Sequence, residues 1–245
     1  MPPDSRDDPA RQSVDGPGIG PRISIVVPAL DEAERIVEAL GSVREPGVCE
    51  VIVVDGGSGD DTVKCAAAAA DRVLHSVRGR AAQMNAGADV AGGDVLLFLH
   101  ADTRLPAGFA AAVQDAIERG AIGGRFDVAL EGEHPFLQVI AFLMNARSRL
   151  TRISTGDQAI FVRRDVFSRL GGFAAIPLME DVELTRRLRR LGPLAALRLR
   201  VRTSARRWET NGVVRTIVLM WALRFAYACG VSPERLARAY RRPAR

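Results

Sequence analysis

Three short apolar runs, at residues 23–27 (ISIVV), 51–54 (VIVV) and 95–99 (VLLFL), constrain this chain more than any other feature. Runs of this length and composition suit strands buried on both faces, as in a parallel sheet covered by helices. The first is closed by Pro28, the second by Asp55-Gly56-Gly57-Ser58, and the third by His100-Ala101-Asp102. Segments of helical character lie between them. Asp31 and Glu34 have the spacing of a capping box, and Ile36, Val37 and Leu40 supply an apolar helical face. A helix is expected to start near Asp60 or Asp61 and run through the alanines, followed by a short strand at 72–75 and a helix at 81–91. Pro106 suits the start of another helix, running toward Gly120. This alternation predicts an α/β fold with a mostly parallel sheet. The second half is less regular, with a strand expected at 122–129, a helix at 136–149 and a strand at 160–163. A further helix is expected at 181–190, with Val182, Leu184 and Leu188 as its apolar positions.

A length of 245 residues suits one domain with or without an appendage, and 47% hydrophobic with 26% charged residues is a globular composition. Cys49, Cys65 and Cys229 form no CxxC pair and have no histidine neighbours suggesting zinc. They read as small buried hydrophobes in a reducing compartment. Residues 1–20 hold no apolar run, so no signal peptide is expected there, and residues 1–21 are expected to form a flexible tail. Gly16, Gly18 and Gly20 precede the first strand, whereas a dinucleotide fingerprint must follow one.

The formal charge is +5, and arginines gather late, at 186, 187, 189 and 190, then 198, 200, 202, 206 and 207, then 241, 242 and 245. A basic half could meet nucleic acid, anionic lipid or a phosphorylated substrate. Aromatic residues are only 5% and do not interleave with the arginines, which argues against nucleic acid. Residues 212–230 are apolar but interrupted by Arg215 and Arg224, too short a run to span a bilayer. They read as a core or interface helix, or as a helix on a membrane surface. The expected location is therefore cytoplasmic, with possible peripheral contact on the inner face of the membrane.

Acids at the ends of buried strands fall where open α/β sheets bind ligands, and Asp102 is the best metal ligand by type. Each acid could also serve as a helix cap or turn residue. Arg78-Gly79-Arg80 precedes a helix with Gln83 and Asn85, an arrangement suited to a diphosphate or to a solvated basic loop. Glu180-Asp181 stands at a helix start, either as a cap or as a general base.

Taken in order, ISIVVPALDE at 23–32, VVDGGS at 53–58, FLHAD at 98–102 and MEDVEL at 179–184 resemble the motifs of family 2 glycosyltransferases. The resemblance runs from about Arg22 to about Trp208. GRAAQMNAG at 79–87 with FLHAD resembles a smaller bacterial subgroup, the transferases associated with radical-SAM, selenium or arsenosugar genes. The resemblance implies a GT-A fold over 22–208, with 209–245 a basic helical extension. It implies a nucleotide-sugar donor, UDP-type, and a Mg²⁺ or Mn²⁺ cofactor. Carried over by position, Pro28, Leu30, Glu32 and Asp55 would meet the nucleotide, and Arg80, Asn85, Ala101 and Glu180 would line the donor site. Asp102 would bind the metal, and Asp181 would deprotonate the acceptor hydroxyl for inverting displacement. The usual first acid of the Asp-x-Asp motif is His100 here, which could be a ligand, a ribose contact or a spacer. The acceptor, a small molecule or a lipid, is not readable. Two other classes compete. A nucleotidyltransferase would carry a glycine-rich, lysine-containing loop after the first strand, and Lys64 is the only lysine. A non-catalytic nucleotide-sugar binder or membrane-surface scaffold would show no turnover.

Overall fold

The computed structural model describes residues 20–241. The expected tail, with Gly16 and Gly18, lies outside the described residues up to position 19, as do Arg242 and Arg245. The chain runs β1 (Ile23–Ala29), α1 (Ala33–Gly41), β2 (Val48–Asp55), α2 (Thr62–Ala67), β3 (Arg72–His75), α3 (Arg80–Asp89) and β4 (Val95–Phe98). Then come β5 (Thr103–Arg104), α4 (Phe109–Glu118), β6 (Gly123–Glu131), α5 (Leu137–Thr151), a 3₁₀ turn (Gly156–Gln158) and β7 (Ile160–Arg163). The remainder is α6 (Arg164–Arg169), α7 (Glu180–Leu191), β8 (Leu194–Ser204), α8 (Arg206–Asn211), α9 (Val213–Ala228) and α10 (Pro233–Arg241).

One eight-stranded sheet has the order β3-β2-β1-β4-β7-β6-β8-β5. Its first four strands are parallel, as the apolar runs predict. Beyond β4 the sheet is mixed, because β7 is antiparallel to both β4 and β6, β8 is parallel to β6, and β5 is antiparallel to β8. Side chains alternate across β1. Ile23, Ile25 and Val27 enter a core with Ile36 and Leu40 of α1, Phe109 and Val113 of α4, and Leu137 and Ile140 of α5. Val26 enters the opposite core, with Met84 of α3, Phe167 of α6, and Leu184 and Leu188 of α7. The sheet is thus covered on both faces, which is why its central strands carry almost no polar residues. Ser24 is the exception, and its hydroxyl is bonded to Glu50 at 2.7 Å and accepts from the Gly93 N–H at 2.8 Å. Gly87 lets α3 lie directly on β1 and β2, since a Cβ there would strike Val26 and come within 3.0 Å of Val54 Cγ2.

Four local expectations are corrected. Cys49 and Cys229 are exposed and Cys65 is partly buried, so the cysteines are not the buried hydrophobes expected. Asp31 and Glu34 form no capping box. Asp31 takes a left-handed backbone (φ 54°), and its carboxylate accepts from the Gly59 N–H at 2.8 Å. Val37 lies away from the core, half exposed, while Ile36 and Leu40 are buried. The arginines at 198, 200 and 202 belong to an unforeseen strand, β8, in which they alternate with Leu197, Leu199, Val201 and Thr203 and point to solvent. Alternation with period two is the signature of a half-buried strand.

The C-terminal helices fold back onto the start of α7. Leu223 of α9 and Leu236 of α10 pack with Met179 and Val182 at the start of α7. Among the described residues no helix is long and apolar enough to cross a membrane.

Candidate active site

The strand order reverses between β1 and β4, and the space beyond their carboxyl ends is where a sheet of this kind binds ligands. A cleft of about 420 Å³ opens there. Pro28, Leu30 and Glu32 line it from the end of β1, and His100, Ala101 and Asp102 from the end of β4. Pro28 is tolerated in a central strand because it lies beyond the last β1–β4 pair, Val26 with Phe98. Arg78 and Arg80 enter from the start of α3, Glu180 from α7, Arg206 from α8 and Tyr240 from α10. A second cavity of about 180 Å³ adjoins the first. Arg80, His100, Asp102, Glu180 and Tyr240 line both, and the second adds Asp157, Asp181, Trp208 and Arg224.

The acids at the start of α7 are presented by a strained residue. Met179 adopts φ 70°, a left-handed conformation that costs an L-residue about 1–2 kcal/mol. The chain turns sharply there, so that Glu180 and Asp181 occupy the first turn of α7 and face the cavities. Asp181 is held at both oxygens. Its Oδ2 accepts from the Gly156 N–H and its Oδ1 from the Val182 N–H, each at 2.7 Å. Glu180 is buried, with Arg80 Nη1 at 4.0 Å from its Oε1. Burial, reinforced by the Asp181 charge and only partly offset by Arg80, pushes its pKa up to about 7. Arg80 stays firmly charged: burial works against the charge, but Glu180, Tyr240, Asp181 and Asp157 together raise its pKa above the ordinary arginine value.

His100 packs against the Gly156 turn, where a Cβ would press on the imidazole, with Cε1 at 2.8 Å. Burial and the Arg80 charge hold its pKa below the ordinary histidine value, leaving a neutral imidazole able to act as a ligand. Asp102 is half-buried and lines both cavities, and its carboxylate takes a weak contact from the Thr103 hydroxyl at 3.3 Å. No group of three or more His, Cys, Asp or Glu side chains among the described residues could hold a metal by itself. A lone accessible carboxylate beside Arg80 instead fits a hard divalent ion that takes its remaining ligands from a diphosphate and water.

Glu32 is a further acid lining the first cleft. Its Oε1 pairs with Arg206 at 2.9 Å, while Oε2 is buried with no hydrogen-bond partner. Arg35 Nη1 lies 3.7 Å from Oε2, an ion pair without a hydrogen bond, which leaves that oxygen able to accept from a ligand donor.

Two expected donor contacts line neither cavity. Asp55 is buried and spent on its own turn, accepting from Gly57 N at 2.9 Å, Ser58 N at 3.1 Å and Ser58 Oγ at 2.5 Å. His75 Nδ1 lies 3.4 Å from it. Burial would raise the Asp55 pKa, but the bonds from Ser58, Gly57 and His75 outweigh it and hold the carboxyl below its usual range. Asn85 clamps the segment before α7, its amide exchanging two 2.9 Å bonds with the Phe173 backbone. Phe173 also meets Phe98 and Phe167 edge-to-face, at centroid distances of 4.8 and 5.5 Å, so Asn85 braces the site from behind. Gln83 is likewise structural, donating to the Ala29 and Val54 carbonyls. Sequence reasoning missed Arg206 and Tyr240. Nothing local distinguishes Arg206 from its basic neighbours, and Tyr240 reaches the cleft only because α10 folds back.

Comparison with known proteins agrees with this geometry. The model of the family described as "Glycosyl transferase family 2" matches residues 24–176, more than half of the chain. The chain is 32% identical over 140 residues to the "Uncharacterized glycosyltransferase Rv1514c" of Mycobacterium tuberculosis, covering 54% of this chain and 49% of that protein. It thus spans about half the length of the curated relatives it matches. Among solved structures, the mannosyltransferase PcManGT from Pyrobaculum calidifontis, in complex with GDP-Man and Mn²⁺, superposes with a TM-score of 0.61 at 21% identity, over 84% of this chain and 61% of that one. S. aureus TarS 1-349 gives 0.59 at 18% identity, over 75% and 60%. Glucosyl-3-phosphoglycerate synthase from M. tuberculosis, in complex with Mn²⁺, UDP and glucosyl-3-phosphoglycerate, gives 0.56 at 20% identity, over 74% and 71%. At such identities the likeness is one of fold, and the fold is GT-A. With the strand-end motifs, the cleft beyond β1 and β4 and the match over residues 24–176 in agreement, the chain belongs to glycosyl transferase family 2.

Proposed function

We propose that the protein transfers a sugar from a nucleotide diphosphate sugar, of UDP type, to an acceptor hydroxyl with inversion at the anomeric carbon. The observation that carries this reading is the arrangement of Asp102, Arg80 and Asp181 around two adjoining cavities. The larger would take the donor, with Glu32 and the β1 end toward the nucleotide and Arg80 toward the diphosphate. A Mg²⁺ or Mn²⁺ ion held by Asp102, with His100 a further candidate ligand, would offset the charge developing on the leaving diphosphate. Arg80 adds a fixed positive charge on the same side. Asp181, fixed by two backbone N–H groups, would take the proton of the acceptor hydroxyl entering the smaller cavity. GDP-Man in one structural relative and UDP in another leave the base to be tested directly.

Peripheral membrane contact belongs to the same reading. Val214, Val218, Trp221 and Phe225 are exposed at helical spacing on α9. Arg215 on α9 and Arg235 and Arg238 on α10 are exposed nearby in sequence, a combination suited to an anionic bilayer.

The test is turnover of UDP-glucose, UDP-galactose, UDP-N-acetylglucosamine and GDP-mannose with Mn²⁺, read as nucleotide diphosphate release. Asp181→Asn should lower kcat by about 10²–10⁴ while donor binding persists. A wild-type protein that binds donor without releasing nucleotide under any condition would instead favour a non-catalytic binder.

A further inference from the structure

A third cavity, of about 260 Å³, is walled by β6, the end of α5, α7 and the start of β8, and none of its residues lines the two cavities described above. Its wall is one-sided in charge. Arg125, Arg149 and Arg152 line it, and among the described residues no Asp or Glu does. The carboxylate that meets them is Asp127, which Arg125 and Arg149 share, the latter at 2.7 Å. Arg152 has no such partner: among the described residues its side chain forms no hydrogen bond or ion pair. Three guanidinium groups thus meet one carboxylate. Arg125 is itself buried, and burial holds its pKa below the ordinary arginine value even with Asp127 beside it.

The end of α5 accounts for part of this charge, because cations suit a helix C-terminus, where carbonyls lack partners. Arg125 Nη2 donates to the Asn145 carbonyl at 3.4 Å, and Arg189 Nη1 to the Thr151 carbonyl at 3.1 Å. That duty does not extend to Arg152, which stands past the helix end in a left-handed backbone (φ 56°), a conformation that favours glycine. Nor does it extend to Ser148. This residue lines the cavity, only 3% exposed, and its hydroxyl has no hydrogen-bond partner. Thr185, on another wall, spends its hydroxyl on the Asp181 carbonyl at 2.9 Å. Buried donors almost always find a partner. A spare buried hydroxyl, in one cavity with guanidinium groups that outnumber their carboxylate, forms a half-made oxyanion site.

We propose that this cavity binds a small organic phosphate, its oxyanion bonded to the Arg152 and Ser148 side chains with Arg125 and Arg149 adding charge. Its carbon body would lie against Ile160, Leu188 and Leu194. The space corresponds to roughly nine water molecules at about 30 Å³ each, room for a phosphate with a few carbons attached. This site is independent of the transfer reading, since it shares no residue with the cavities that carry that reading.

The test uses the full chain in thermal denaturation, titrated with glycerol 3-phosphate against glycerol and against sodium chloride of equal ionic strength. Glycerol 3-phosphate should raise the wild-type Tm. Arg152→Gln should leave the Tm without ligand unchanged, because the side chain is exposed and unpaired, and should raise the half-saturating concentration about tenfold. Ser148→Ala should leave the Tm without ligand unchanged or higher, since it removes an unsatisfied hydroxyl, and should raise that concentration about three- to tenfold. A serine with a structural role alone would lower Tm and leave the titration where it was. Arg80→Gln should keep the response, which separates this cavity from the donor cleft. A folded wild type that gives no response, titrations unchanged in both Arg152→Gln and Ser148→Ala, or a response lost in Arg80→Gln alone would overturn the inference. Inorganic phosphate in parallel should need a higher half-saturating concentration than glycerol 3-phosphate, and tighter binding of the inorganic ion would overturn the assignment of an organic phosphate.

Discussion

Replacing Glu180 by Gln should change how stability depends on pH. In the folded protein the Glu180 carboxyl is buried among Asp181 and Arg80, and its pKa rises from 4.5 to about 7. The folded state therefore holds a proton that the unfolded chain releases, between pH of about 4.5 and about 7. Unfolding sheds protons across that window, so stability falls as pH rises through it and levels off above the folded pKa. A gap of this size corresponds to about 3 kcal/mol at most. Glutamine keeps the shape and cannot ionise. The difference in unfolding free energy between Glu180→Gln and wild type should thus move in favour of the variant by up to about 3 kcal/mol from pH 5 to pH 8. Urea denaturation of both proteins at half-unit intervals measures it, and taking the difference removes the titration of every group common to both. Parallel stability curves over this range would refute the reasoning, since they would mean that Glu180 titrates alike in the folded and unfolded chain.

Two further substitutions probe the packing that positions the site. Gly156→Ala would push a methyl group into the His100 imidazole, since a Cβ there comes within 2.8 Å of Cε1, and would disturb the N–H that holds Asp181. Turnover should fall about ten- to a hundredfold with Tm lowered, and adding His100→Ala should restore Tm; an unchanged Tm in the single variant would refute the contact. Gly87→Ala would wedge α3 away from Val26 and Val54 and should cost about 1–3 kcal/mol in urea denaturation, whereas a neutral result would mean that the helix lies looser on the sheet.

Legibility in the sequence followed the physics of each segment. The buried runs read directly, because a strand covered on both faces has little room for polar residues, and the strands at 72–75 and 160–163 have the bounds expected. The end of the third run led to His100, Ala101 and Asp102, and the family resemblance to Pro28, Leu30 and Glu32, all of which line the larger cleft. Strand β8 was obscured because its arginines draw attention as charge, although their alternation with Leu197, Leu199 and Val201 carried the strand signal. The Asp31 cap fails for a reason that no local window contains: its carboxylate is taken by Gly59, 28 residues away. Asn85 shows the same tertiary effect, while Asp55 is consumed locally by its own Gly57-Ser58 turn; in both, a polar side chain near a site is spent in building its walls. The contributions of Tyr240 and Arg224 depend on the C-terminal helices folding over α7, a packing set by Met179, Val182, Leu223 and Leu236 from distant parts of the chain.

The most direct test of donor binding is thermal denaturation of wild type and Asp102→Ala with UDP, GDP and their sugar conjugates, each with and without Mn²⁺. A ligand that binds only the folded state adds about 2.7 kcal/mol at a hundred times its Kd. The expected result is a Mn²⁺-dependent rise in Tm with UDP or a UDP-sugar that disappears in Asp102→Ala while the variant remains folded. A folded wild type whose Tm responds to no nucleotide, or whose Mn²⁺-dependent response survives intact in Asp102→Ala, would contradict the assignment of this cleft as a metal-assisted donor site.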